Sequence, residues 1–88
     1  MVLRQKYVVT SDNVMIVFCE LLSHDEFKRF DPISAGFIVI GATARHEPTC
    51  TCYGESISLG IKSREEDTHL ADKQILGNSS PFIKNTYR

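Results

Sequence analysis

Tyr7-Val8-Val9-Thr10-Ser11-Asp12-Asn13-Val14-Met15-Ile16-Val17-Phe18-Cys19 is the stretch on which the choice of fold turns. Gln5 to Thr10 and Val14 to Cys19 are runs rich in β-branched and aromatic residues. Ser11-Asp12-Asn13 between them is turn chemistry, so the whole reads as a β-hairpin whose turn lacks a glycine. The second run is apolar at both even and odd positions, which predicts a strand covered on both faces. That places it at the centre of a sheet with a helix over one face.

Downstream of this hairpin, Ser23 followed by Glu26 is a capping box, in which each side chain satisfies a backbone N–H at a helix start. Leu22 and Phe27 supply the matching hydrophobic staple. Asp25 and Glu26 in the first turn and Lys28-Arg29 in the last agree with the helix dipole. Phe27 and Phe30 lie three apart and are expected to dock on the sheet. Asp31-Pro32 ends the helix, because a residue before proline is pushed out of the helical region.

Ser34 to Ala44, centred on Phe37-Ile38-Val39-Ile40, predicts a third strand, and Thr49-Cys50-Thr51-Cys52-Tyr53 a fourth. The polar connection Arg45-His46-Glu47-Pro48 makes these two a second hairpin. Gly54 to Lys62 reads as irregular or part strand. A second capping box, Ser63 to Glu66, opens a helix running to about Leu76, with Gly77 as the glycine after its end. Leu70, Ala71 and Ile75 form a narrow apolar stripe on it. The expected fold class is therefore α+β: a four-stranded antiparallel sheet with two helices on one face, in the order ββαββα. Residues 1–77 form one domain and 78–88 a flexible tail, with the first or the fourth strand expected at the sheet edge.

Composition removes several functions. The chain has 88 residues, 42% hydrophobic and 24% charged, which is ordinary globular usage rather than that of a disordered chain. No apolar run approaches the ~18–20 residues of a membrane span, and the first residues lack a signal-peptide core, so a cytoplasmic protein is expected. Three cysteines, an odd number, fit a reducing compartment. A net charge of −1 argues against a nucleic-acid binder, which presents a basic face. No cofactor is implied.

Three groupings carry conceivable chemistry. His46, Cys50 and Cys52 are zinc-type donors, and two cysteines two apart on a strand share a face. Their spacing is not that of the common zinc modules, and small residues on a packed strand face account for them better. Lys62, Ser63 and Arg64 precede a helix start and offer an anion or nucleic-acid site. The preceding glycine loop departs from a phosphate loop in spacing, and Glu65, Glu66 and Asp67 repel an anion there. His24 beside Asp25, with Cys19 five residues earlier, has the residue types of a nucleophile and base, but nothing along the chain joins them into a catalytic pattern. No catalytic residue is assigned.

Ser34-Ala35-Gly36-Phe37 and the segment Tyr53-Gly54-Glu55-Ser56-Ile57-Ser58-Leu59-Gly60-Ile61-Lys62-Ser63-Arg64-Glu65-Glu66-Asp67 resemble a group of small uncharacterised bacterial and prophage-associated proteins. The resemblance covers most of residues 5–77. It implies a bacterial or phage origin and a one-domain protein, and it carries over no activity and no site residue. His46 and the cysteine pair lie outside its motifs. The expected function is a non-enzymatic interaction domain that meets a protein partner, or a second copy of itself, at an open strand edge. A metal-stabilised module and a weak anion binder are the alternatives.

Overall fold

Two hairpins closed by the same turn organise the sheet. β1 (Leu3–Val9) turns into β2 (Met15–Phe18), and β3 (Ser34–Ala42) into β4 (Pro48–Tyr53). In the first turn the Thr10 hydroxyl accepts from the N–H groups of Asp12 and Val14. Thr10 N–H donates to Val14 and Asn13 N–H to Thr10, both at 2.8 Å. The second turn repeats every bond: Thr43 Oγ1 accepts from Arg45 and Glu47, Thr43 N–H donates to Glu47, and His46 N–H to Thr43. In both, the fourth residue is left-handed, Asn13 at φ 64° and His46 at φ 66°. Asn and His are among the few side chains enriched there, which is how each turn manages without glycine. The structure is a computed structural model that describes residues 2–77; the tail expected at 78–88 lies outside the described residues.

The four strands are antiparallel in the order β2-β1-β3-β4. The expected α+β class and four-stranded sheet are present, but the strand positions differ from expectation. β1 is interior, with Tyr7, Val8 and Val9 wholly buried, whereas the Val14–Cys19 run forms an edge strand. β4 is the other edge, as expected. The reason is that apolar character on both faces reports cover above and below the sheet, not a neighbour at each side.

That cover comes from different elements. Tyr7, Val9, Met15, Ile38 and Cys50 pack against Ala71 and Leu70 of α1 (Glu66–Gln74). Val8, Phe18 and Ala35, which alternate with them along the strands, face Phe27, Leu59 and Ile61 on the other side. Phe27 belongs to a 3-10 helix, His24–Phe30, and Leu59 and Ile61 to a ribbon of β5 (Glu55–Ser56) and β6 (Ile61–Lys62). The two helical elements therefore lie on opposite faces rather than on one, and the Gly54–Lys62 segment is itself ordered as a second small sheet. No helix among the described residues is long and apolar enough to cross a membrane.

Both helix starts differ in detail from the expected capping boxes. Ser23 is the N-cap, but its hydroxyl accepts from Asp25 N–H, and the helix is 3-10 over its seven residues. Asp31, left-handed at φ 52°, closes it before Pro32. At α1 no Ser63–Glu66 box forms. Asp67 takes that place one residue later, its Oδ2 accepting Arg64 N–H at 2.9 Å.

α1 crosses the sheet from edge to edge. Thr68 near its start accepts the Cys52 N–H of β4 at 2.9 Å, and Gln74 at its end accepts the Met15 N–H of β2 at 3.0 Å. The lengths match: nine residues span ~13–14 Å, and three strand spacings ~14 Å. Outward N–H groups alternate along an edge, so Thr68 and the proline at Pro48 blunt β4, while Gln74 blunts β2.

Candidate functional site

With both edges partly capped, an accessible feature is a cleft of about 480 Å³ on the face opposite α1. Its floor is Phe37 of β3. One wall is Lys6 of β1 with Ser23 and His24 at the start of the 3-10 helix. The other is Tyr53 and Gly54 at the end of β4, running into Glu55, Ile57 and Ser58 of the ribbon. Gly36 and Gly54 make this geometry possible. A Cβ on Gly36 would collide with the Tyr53 carbonyl oxygen, so only glycine lets the end of β4 pass so close. Gly54 at φ 84° then redirects the chain into β5.

The floor and walls are aromatic. Phe37 stacks on Tyr53 at 5.8 Å between ring centroids and meets the His24 ring edge-on at 5.8 Å. His24 is also edge-on to Phe18, which stacks on Phe27 at 4.1 Å. Arg4 lies over the Phe37 ring at 4.6 Å while pairing with Glu20 at 3.0 Å. On the rim Ile57 is 86% exposed, an aliphatic side chain left in water beside an apolar hollow.

Two polar groups stand out against this lining. His24 is buried, and its Nε2 lies 2.8 Å from the Gly36 carbonyl oxygen. A carbonyl only accepts, so Nε2 carries the hydrogen. Burial, with the nearby Lys6 charge adding to it, lowers the His24 pKa below its ordinary value of 6.5. The ring is therefore neutral at pH 7, with an acceptor lone pair on Nδ1. Among the described residues Nδ1 has no hydrogen-bond partner, and His24 is part of the cleft lining. Lys6 Nζ donates to the Leu22 carbonyl at 2.7 Å, and among the described residues it has no carboxylate partner.

The groupings singled out in the sequence lie elsewhere. His46 is exposed at the β3–β4 turn, where its backbone conformation accounts for its presence. Cys50 and Cys52 do share a face, the one beneath α1. Burial raises both thiols, Cys52 to about 12, with Asp67 and Asp72 adding to the effect there. A thiol held protonated is a poor metal ligand. Among the described residues no three His, Cys, Asp or Glu side chains gather to hold a metal ion. Cys19 is exposed and does not bond His24.

Lys62 is exposed, and Ser63 N–H closes the ribbon onto Gly54. Arg64 is committed elsewhere. Its guanidinium meets Asp67 Oδ1 through Nε at 2.9 Å and Nη2 at 2.8 Å. Asp67, wholly buried, accepts in addition from the Tyr7 hydroxyl at 2.6 Å. This network pins the start of α1 to the central strand, and burial together with Asp67 raises the Tyr7 pKa well above the ordinary phenol range. The cleft was not visible in the sequence. Its residues come from four separate stretches, and no spacing joins them.

No family model, curated protein or solved structure matches the chain.

Proposed function

We propose that the protein is a small non-enzymatic interaction domain whose cleft receives an extended segment of a partner protein. The observation that carries this reading is the cleft itself, apolar on its floor and flanked by Ile57 in water, with Lys6 lacking a carboxylate partner. Its volume lies in the range of ligand pockets, enough for one anchoring side chain. The lining holds one lysine, Lys6, and one carboxylate, Glu55; the Lys6 ammonium, without a carboxylate partner among the described residues, favours a segment that brings an acidic group beside that anchor. The reactive groups around the cleft fit binding better than turnover: His24 Nε2 holds the main chain, Ser23 caps a helix, and the thiols of Cys50 and Cys52 lie on the opposite face. The blunted sheet edges favour this cleft over strand addition.

The test is selection from displayed random peptides against the wild-type protein, with each selected sequence then measured against Ile57→Glu. Ile57 is exposed enough that the substitution leaves the fold intact. Selected peptides sharing an apolar residue near an acidic one, and binding Ile57→Glu at least tenfold more weakly, are expected. Peptides that bind both proteins equally would refute the cleft as the docking site.

A further inference from the structure

A donor, an acceptor and an apolar surface line this cleft, and together they suit one kind of chemical group. Resting on the interaction reading above, we infer that the cleft recognises the free carboxyl end of a polypeptide whose last residue is apolar. The Lys6 ammonium has three hydrogens, of which the Leu22 carbonyl takes one at 2.7 Å. The remaining two are available to a carboxylate.

His24 supplies the opposite polarity. Its Nε2–H is fixed on Gly36, and that bond together with the flanking Phe18 and Phe37 rings sets the ring orientation. Nδ1 is therefore a positioned acceptor rather than a freely rotating one. An acceptor in an apolar wall calls for an N–H donor from whatever fills the cleft, since an occupant without one would bury that acceptor unpaired. Phe37, Tyr53 and Ile57 offer a surface for one large apolar side chain.

A terminal residue carries these three features on a single Cα: a carboxylate, an amide N–H and a side chain. An internal acidic residue carries its carboxylate on the side chain instead, and so has no apolar group on the same Cα. An amide-capped end loses the charge. Capture of chain ends by fixed donors is a recurring recognition mode, and here it is assembled from a lysine on a central strand and a histidine at a helix start.

The probes are acetyl-Gly-Ser-Gly-Leu with a free carboxylate and the same peptide as its C-terminal amide, each titrated into the full-length isotope-labelled protein. Amide chemical shifts of Lys6, His24, Phe37 and Gly54 report binding. The acid is expected to move these signals and to bind about tenfold to a hundredfold more tightly than the amide, the worth of a charge-assisted hydrogen bond. Lys6→Met, which keeps the aliphatic stem, is expected to reduce the acid to the affinity of the amide. Equal binding of acid and amide at the cleft would overturn chain-end recognition while leaving the docking site in place. No shift at these amides with either probe up to about 10 mM would also overturn it. The wider interaction reading is judged separately by the displayed peptides, which need no free carboxyl end. The acid–amide comparison uses the wild-type protein, so it stands even if Lys6→Met perturbs folding.

Discussion

Replacing Asp67 by alanine tests whether one buried network anchors α1 to the sheet. Asp67 is wholly buried and accepts three hydrogen bonds, from Tyr7 Oη, Arg64 N and Arg64 Nε, with Arg64 Nη2 completing the ion pair at 2.8 Å. Truncation takes away the carboxylate that accepts from the buried Tyr7 hydroxyl, which costs about 1–3 kcal/mol. Arg64 is different: with its side chain 26% exposed, it can turn to solvent, so its lost ion pair contributes about 1 kcal/mol rather than the larger cost of a sealed pair. Loss of the acceptor at the helix start adds about 0.5–1 kcal/mol. The sum is about 2.5–5 kcal/mol, against a total near 4–13 kcal/mol for a domain of this length.

Urea unfolding followed by far-ultraviolet circular dichroism reads the effect. With a slope of about 1 kcal/mol/M, the midpoint is expected to fall by about 2.5–5 M. Tyr7→Phe alone leaves Asp67 its Arg64 bonds and is expected to cost about 1–1.5 kcal/mol. The double variant removes the Tyr7 hydroxyl, so it is expected to cost about 1–2 kcal/mol less than the two single effects added together. An Asp67→Ala effect under about 1 kcal/mol, or additive single effects, would refute the network as the anchor.

Four further outcomes follow from named features. Gly36→Ala drives its Cβ into the Tyr53 carbonyl oxygen and is expected to lower stability by about 2–3 kcal/mol, more than Gly60→Ala, where the space is open and only the φ of 71° resists; equal losses in urea melts would contradict the close approach. His24 binds its proton less readily folded than unfolded, so its contribution is complete above about pH 6.5 and declines as pH falls from there toward the depressed folded value. The urea midpoint of the wild type should therefore drop more steeply between about pH 7.5 and 5.5 than that of His24→Gln, and parallel slopes would disprove the assignment. Titration with a thiol reagent should find Cys19 reacting promptly and Cys50 and Cys52 only on unfolding, whereas three equal rates would contradict their burial under α1. His46→Gly relieves a left-handed side-chain residue and is expected to raise stability by up to about 1 kcal/mol, with a melting temperature unaffected by chelator; a loss on either change would point back to a ligand role for His46.

Local chemistry was legible in the chain by itself. The two hairpins, the glycine-free first turn, the Ser23 cap, the stop at Asp31-Pro32 and the left-handed Gly77 all depend on residues within a few positions of one another. The α+β class follows from those pieces. The sequence also supplied the alternation that sorts Tyr7 and Val9 from Val8, without indicating what would cover either side.

Only the tertiary structure decided which strand is central, that the helices take opposite faces, and where polar groups end up. Tyr7 and Asp67 stand 60 positions apart, and Met15 and Gln74 59 apart, yet these pairs secure α1 over the sheet. The same distance in sequence hid the cleft, where Lys6, His24, Phe37 and Tyr53 meet. Turn and cap preferences are set by short-range backbone sterics and hydrogen bonds, so they can be read from adjacent residues. Sheet order, helix placement and the cleft are set by which apolar surfaces close on each other, and that is a property of the whole chain.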